Sequence, residues 1–113
     1  MPYVSIKTVK KLDDAQKDKI KAELGRLMPI IPTKTEAGLM VDFSGDHTFY
    51  KAGNRVDGAF VELRLYRKSE LEPKKKYTAE LLKFLCEELG LKKECVYMNI
   101  MEFENCGSNG ELH

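Results

Sequence analysis

An internal repeat with an offset of 57 residues constrains the fold of this chain more than any other feature. The segment YVSIK from Tyr3 aligns with FVELR from Phe60, and KDKIKAEL from Lys17 aligns with KKKYTAEL from Lys74. Both matches share one register without a gap. A chain that repeats itself is expected to form the same supersecondary unit twice. We therefore predict a single domain over residues 1–113, with repeats at about 2–43 and 59–103.

Each repeat contains an apolar stripe with the spacing of one helical face. Asp13 or Asp14 is a suitable N-cap for the first helix, which is expected to end near Met28 because prolines follow. The second helix is expected to begin near Ser69 or Glu70 and to end at Gly90. The stripes are in the same phase in the two repeats, and their residues are Ile20, Leu24, Leu27 and Met28, then Tyr77, Leu81, Phe84 and Leu85.

Strand-like segments flank both helices. Apolar and polar residues alternate over residues 4–8 and 61–65, whereas residues 38–43 and 95–103 are continuously apolar and indicate strands buried on both faces. The order β-α-β, twice over, predicts an α/β (α+β) fold with a four-stranded mixed sheet and both helices on one face. Residues 44–58 are rich in turn formers, with a short strand expected at about 47–51.

Two predictions concern parts of the chain that the two repeats do not bury: one face of the sheet and the C-terminal segment. Two helices cover only one face of a four-stranded sheet, so the other face, carrying Tyr97 and Asn99 or their alternates, requires a partner. We therefore expect a homo-oligomer. The C-terminal segment NCGSNGELH is too polar for a core, and we expect it to be disordered or to add a strand to a neighbouring chain.

The composition excludes several classes of function. With 19 basic and 18 acidic residues, the chain offers no electrostatic reason to bind nucleic acid or a membrane surface. No apolar run is long enough to span a bilayer and no signal peptide is evident, so the expected location is the cytoplasm, with non-classical secretion as a possibility. The three cysteines, at positions 86, 95 and 106, have neither disulfide-framework nor zinc-site spacing.

Pro2 is the first candidate for chemistry. Removal of Met1 would leave a secondary amine as the first group of the chain, at the start of a predicted strand. In an apolar cleft near a cation, such an amine has a lowered pKa, and it then acts as a general base near neutral pH. The alternative interpretation is a proline that only begins a strand.

Pro2, the β-α-β duplication and the segment VYMNIMEFENCGSNG together resemble the tautomerase superfamily, and within it the macrophage migration inhibitory factor and D-dopachrome tautomerase family. The resemblance covers essentially the whole chain. It implies a homotrimer whose sheets line a central barrel, with the helices outside and the active sites at subunit boundaries.

The same resemblance assigns roles to individual residues. It implies that Pro2 is the catalytic base and that Lys34, in PTKTEAG, contacts the substrate carboxylate. Tyr97 and Asn99, in VYMN, would bind substrate, as would Tyr66 at the pocket mouth. The implied activity is keto–enol tautomerisation of phenylpyruvate-like 2-keto acids, which needs neither a metal nor an organic cofactor.

Two alternatives remain open at this point. The same fold can carry a cytokine-like signalling role with vestigial catalysis. The order β-α-β-β-α-β also describes a ferredoxin-like module that binds a small ligand or RNA. Balanced charge and the absence of exposed aromatic repeats argue against RNA.

Overall fold

The computed structural model describes all 113 residues and contains two β-α-β units. A short hairpin separates the two units, and a second hairpin ends the chain. The elements of the two units are β1 (Tyr3–Thr8), α1 (Asp14–Leu27), β2 (Met40–Ser44), β5 (Ala59–Tyr66), α2 (Leu71–Leu89) and β6 (Val96–Phe103).

The four long strands form one mixed sheet in the order β2-β1-β5-β6. The strands within each unit are parallel, and β1 and β5 are antiparallel at the centre. This arrangement confirms the predicted fold class. In a ferredoxin-like split β-α-β unit, another strand lies between the two parallel strands. Here the two strands of each unit are adjacent, so the ferredoxin-like alternative is wrong.

The two units have the same internal register. Tyr3 pairs with Met40 and Phe60 pairs with Tyr97, an offset of 37 residues in both cases. At the centre of the sheet, Ser5 pairs with Glu62, and these two residues are equivalent in the sequence repeat. A local two-fold axis therefore passes through that pair. It relates the start of β1 to the start of β5, and residue 2 to residue 59.

Both helices begin and end near the positions that the sequence predicts. Asp13 caps α1 by accepting a hydrogen bond from the Gln16 N–H at 2.8 Å. Glu70 precedes α2, and Gly90 ends it with a left-handed backbone at φ 64°. Neither helix contains an apolar stretch long enough to cross a membrane.

The core lies between the helices and one face of the sheet. Alternate residues of β1 and β5 are buried there, and Val41, Phe43, Met98 and Ile100 of the outer strands pack against them. The opposite face is uncovered in the single chain: Met40 is 68% exposed and Tyr97 is 53% exposed. The prediction that β2 and β6 are buried on both faces is therefore wrong for one chain, because nothing covers their outer side.

Two hairpins complete the fold. The expected short strand is present as β3 (Phe49–Lys51), and it pairs with β4 (Asn54–Val56), which the sequence analysis did not predict. The tail forms β7 (Gly107–Ser108) and β8 (Glu111–Leu112), closed by two hydrogen bonds between the backbones of Cys106 and His113. The expectation of disorder is wrong, because the tail pairs with itself. The addition of a strand to a neighbouring chain stays a prediction.

Candidate functional site

Pro2 is buried and immediately precedes β1. Its carbonyl accepts a hydrogen bond from the Met40 N–H at 3.0 Å, so the first strand pairing fixes its position. It lines a cavity of about 570 Å³, called here the proline cavity. The other residues of this cavity are Met1, Tyr3, Gly38, Met40, Arg64, Leu65, Phe103 and Asn105–Asn109.

Lys34 lies in a second opening, called here the lysine cleft, of about 530 Å³. Lys34 follows a tight turn over residues 31–34, in which Pro32 is the second residue and Thr33 the third, at φ 70°. The Lys34 N–H donates to the Ile31 carbonyl at 3.1 Å and closes this turn. The Lys34 ammonium is buried and donates to the Tyr66 carbonyl at 2.8 Å. The cleft is lined by Met1, Pro32, Thr33, Lys34 and residues 66–70.

Met1 lines both openings, so the proline cavity and the lysine cleft adjoin at the N-terminus. The structure thus brings together three of the five predicted site residues: Pro2, Lys34 and Tyr66. An ammonium ion has three donors, and Lys34 directs one of them to a backbone carbonyl. The others are available to a ligand.

The electrostatics of this region favour a neutral amine and an anionic ligand. Burial lowers the pKa of the terminal amino group, and the positive charge of Lys34 lowers it further, against a smaller opposing effect of Cys106. The lysine cleft holds three cations, Lys34, Arg67 and Lys68, and one carboxylate, that of Glu70. None of these four residues is in an ion pair.

Tyr97 and Asn99 lie elsewhere in the chain. Tyr97 belongs to the row of the sheet that contains Phe60, whereas Pro2 adjoins the row that contains Arg64. The two rows are four residues apart, or roughly 13 Å along the strands. Tyr97 instead borders a small apolar cleft beside the β3–β4 hairpin, with the Lys51 ammonium 5.2 Å from its ring centre. One chain alone does not assemble the five predicted residues.

The tail also belongs to the proline cavity, which was not predicted from the sequence. Residues Asn105–Asn109 line it, and so does Arg64. A signal was present in the topology: β6 is parallel to β5, and β5 is antiparallel to β1. The chain leaving β6 must therefore pass the start of β1. No group of three or more His, Cys, Asp or Glu side chains is arranged to hold a metal ion.

No protein-family model and no curated protein matches the chain. Solved structures match it over nearly its full length. MIF2 of Leishmania major shares 22% sequence identity, with a TM-score of 0.92 over 100% of this chain and 97% of that one. The macrophage migration inhibitory factor of Trichinella spiralis shares 19% identity, with a TM-score of 0.81 over 98% and 99% of the two chains.

A third match is Pt0534, solved as the protein inactivated by 2-oxo-3-pentynoate, at 18% identity and a TM-score of 0.82 over 96% of this chain and 93% of that one. At these identities the likeness establishes the fold. The chain has the fold of the macrophage migration inhibitory factor homologues, and the resemblance seen in the sequence is confirmed at that level.

Proposed function

We propose that the protein is a keto–enol tautomerase of the tautomerase superfamily, with Pro2 as its general base and a phenylpyruvate-like 2-keto acid as its substrate. The observation that carries this proposal is the buried position of Pro2 in the proline cavity, next to Met1, which also borders the cationic lysine cleft. Loss of Met1 converts the Pro2 nitrogen into a secondary amine within that environment.

The environment suits a base that operates near neutral pH. With Met1 in place, burial and the Lys34 charge lower the pKa of the Met1 amino group. The Pro2 amine, one residue further on, is expected to have a lowered pKa for the same two reasons. The neutral nitrogen removes a proton from the carbon next to the substrate carbonyl, and a proton is returned to the carbonyl oxygen to give the enol. The reverse transfer gives the keto acid.

The lysine cleft supplies the binding site for the carboxylate. The Lys34 ammonium is held by the Tyr66 carbonyl and has donors to spare, and the cleft carries more positive than negative charge. A 2-keto acid bound through its carboxylate at Lys34 would direct its reacting carbon toward the adjoining proline cavity. The likeness to Pt0534, whose structure was solved after inactivation by a 2-oxo acid, agrees with this substrate class.

The remaining donors come, in this proposal, from a second copy of the chain. Tyr97 and Asn99 are exposed on the open face of the sheet, away from Pro2 of the same chain. In a homotrimer with sheets around a central barrel, they would meet Pro2 at a subunit boundary. Their hydroxyl and amide groups would then stabilise the developing enolate.

The test compares three proteins with an enol absorbance assay on phenylpyruvate: the wild type with Met1 removed, a Pro2→Gly variant, and a form that retains Met1. We expect both altered proteins to lose at least 10²-fold in kcat/KM, because general-base catalysis contributes that much. N-terminal mass spectrometry establishes which terminus each preparation carries. Equal rates in the three proteins would exclude Pro2 as the base.

A further inference from the structure

The β3–β4 hairpin packs closely against the segment that leads into β6. Each strand of the hairpin has only three residues, and an isolated hairpin of that size is at most marginally stable in water. Gly58 lies between the two parts. A Cβ built there would be 2.7 Å from the Cys95 carbonyl oxygen and 3.6 Å from the Phe49 ring, so no larger residue fits without a shift.

Lys51, the last residue of β3, makes the polar contact between the hairpin and β6. Its ammonium group donates a hydrogen bond to the Glu94 carbonyl, two residues ahead of β6, and lies 5.2 Å from the centre of the Tyr97 ring. It is half-buried and forms no ion pair. The same group thus binds the backbone ahead of the strand and makes a cation–π contact with its second residue.

Tyr97 has few other contacts within the chain. Its side chain is exposed, and its hydroxyl group donates to no other residue of the chain. The ring borders the small apolar cleft beside the hairpin, of about 170 Å³, whose other residues are Phe49, Tyr50, Lys51, Val56, Ala59, Phe60 and Cys95. The hairpin therefore contacts the ring and leaves the hydroxyl free for a ligand or another chain.

The order of the Lys51 side chain requires an explanation. Fixing a long lysine side chain in one conformation costs conformational entropy. Lys93, close by in the segment ahead of β6, is exposed and makes neither a carbonyl nor a cation–π contact. A fixed charge against the face of a tyrosine restricts the orientation of that ring, which has only two side-chain torsions.

We infer that Lys51 is a positioning residue, which fixes the ring of Tyr97 so that the hydroxyl group reaches a substrate bound at Pro2 of a neighbouring chain. This inference rests on the proposed function, which places Tyr97 at that subunit boundary. The β3–β4 hairpin then forms part of the framework of the active site, and the contribution of the Tyr97 hydroxyl depends on Lys51.

The test is a double-mutant cycle on Lys51 and the Tyr97 hydroxyl, with Lys51→Met, Tyr97→Phe and the double variant. Calorimetry measures the Kd of phenylpyruvate, and the enol assay measures kcat/KM. We expect Lys51→Met to worsen both about fivefold when Tyr97 is present and less than twofold in the Tyr97→Phe background, because without the hydroxyl its position no longer matters. Lys93→Met, which removes a nearby exposed charge, is the matched control.

The cycle also distinguishes positioning from a purely structural role. If Lys51→Met causes the same loss in both backgrounds, or if Lys93→Met causes as large a loss, the inference is overturned. Lys51→Arg should stay within about twofold of the wild type, since a guanidinium retains a donor for the Glu94 carbonyl and a cation–π contact. Activity no higher than that of Lys51→Met would contradict the role of the charge.

Nuclear magnetic resonance checks the contact itself without any ligand. The protons beside the Lys51 ammonium are expected to be shifted upfield by the Tyr97 ring, relative to those of Lys93. The shift should persist in Tyr97→Phe and disappear in Tyr97→Ala. Unshifted Lys51 protons in the wild type would remove the contact on which the inference depends.

Turnover separates this inference from the proposed function. If the wild type binds phenylpyruvate but does not interconvert it with its enol, the tautomerase proposal fails, and the cycle in Kd decides the role of Lys51. If the wild type is active and the losses in the cycle are additive, the inference fails and the tautomerase stands. A wild type that does not bind phenylpyruvate would overturn both.

Discussion

At the scale of single residues, the charge of the Lys34 ammonium in the lysine cleft affects the pKa of the terminal amino group, which borders the proline cavity as well. Lys34 is buried and donates to the Tyr66 carbonyl, and its positive charge lowers the pKa of the Met1 amino group. In the proposed function, Lys34 has two roles: it binds the substrate carboxylate, and its charge lowers the pKa of the amine. These two roles can be measured separately.

Replacement of Lys34 by methionine is expected to shift the acidic limb of the kcat/KM–pH profile to higher pH. In the proposed mechanism the protonated amine is inactive. The Lys34 charge lowers the pKa of the Met1 amino group, and its loss is expected to raise the pKa of the neighbouring Pro2 amine in the same way. The pH profile of the enol assay measures this shift, and Lys68→Met is the matched control. A limb that stays in place would show that Lys34 does not act on the base.

Tyr77 offers a prediction about stability. Its side chain is fully buried in α2, its hydroxyl has no hydrogen-bond partner, and burial raises its pKa. Tyr77→Phe is expected to increase the free energy of unfolding by about 1 kcal/mol, because it removes an unsatisfied buried polar group. Urea denaturation measures the change, with the exposed Tyr50→Phe as a control near zero. A loss of stability would indicate that the hydroxyl has a partner.

At the scale of elements, one ion pair connects α2 to β6. The Lys74 ammonium lies 2.9 Å from Glu102, which also accepts a hydrogen bond from the Ser69 N–H ahead of the helix. These contacts hold the loop that follows β5 and contains Arg67. The lysine cleft is therefore supported by an ion pair on its outer side.

The hydrogen bond from Lys74 is the main cause of the lowered pKa of Glu102. A carboxyl group with a lowered pKa stabilises the folded state above its unfolded pKa, and this contribution is lost as the pH falls through its folded pKa. Glu102→Gln is expected to reduce the free energy of unfolding by about 1 kcal/mol at pH 7 and by less at pH 3. Denaturation at the two pH values tests this, with the exposed Glu104→Gln as the control.

The C-terminus of α2 gives a second element-scale prediction. Gly90 has φ 64°, and a Cβ built there would meet no atom within 4 Å. Gly90→Ala is therefore expected to reduce the free energy of unfolding by about 1 kcal/mol through backbone strain alone. Gly90→Asn should lose less, since asparagine tolerates this conformation. Chemical denaturation measures both variants, and equal losses would point to a cause other than the backbone.

Helices and the central strands were predictable because their apolar residues recur with a clear period. The burial of the edge strands was harder to predict. Because the apolar residues Met40 and Met101 lie on the open face, the sequences of β2 and β6 resemble those of strands buried on both faces. The strand β4 was missed because its sequence, NRV, is largely polar and is stabilised only by pairing with β3. Proximity of Pro2 and Lys34 depends on loops, and the sequence analysis reached it only through the family resemblance.

At the scale of the whole molecule, the shared register of the two halves is the central fact. We propose that they arose by duplication of one β-α-β unit, because the pairing offsets and the sequence offset agree. The start of β1 carries Pro2, whereas the equivalent start of β5 carries Ala59, close to Tyr97. The halves have thus kept one architecture and diverged in their side chains.

A mixing experiment tests the proposed subunit boundary. Pro2→Gly and Tyr97→Ala chains, each impaired alone, are to be refolded together in equal amounts. If a site combines Pro2 of one chain with Tyr97 of another, about a quarter of the sites in the mixture are intact. Light scattering should give three times the 12.9 kDa mass of one chain. If the mixture is only as active as the mean of the two separate proteins, no site combines Pro2 of one chain with Tyr97 of another, and the proposed subunit boundary is wrong.

The position of Met1 has a practical consequence. Met1 borders both openings, and Pro2 behind it is anchored by the Met40 N–H, so any residues added ahead of Met1 must leave through the space that a ligand would occupy. A purification tag at that end would occupy this space and, in the proposed mechanism, would also keep the Pro2 nitrogen as an amide without basicity. Affinity tags belong after His113, beyond the small hairpin that closes the chain.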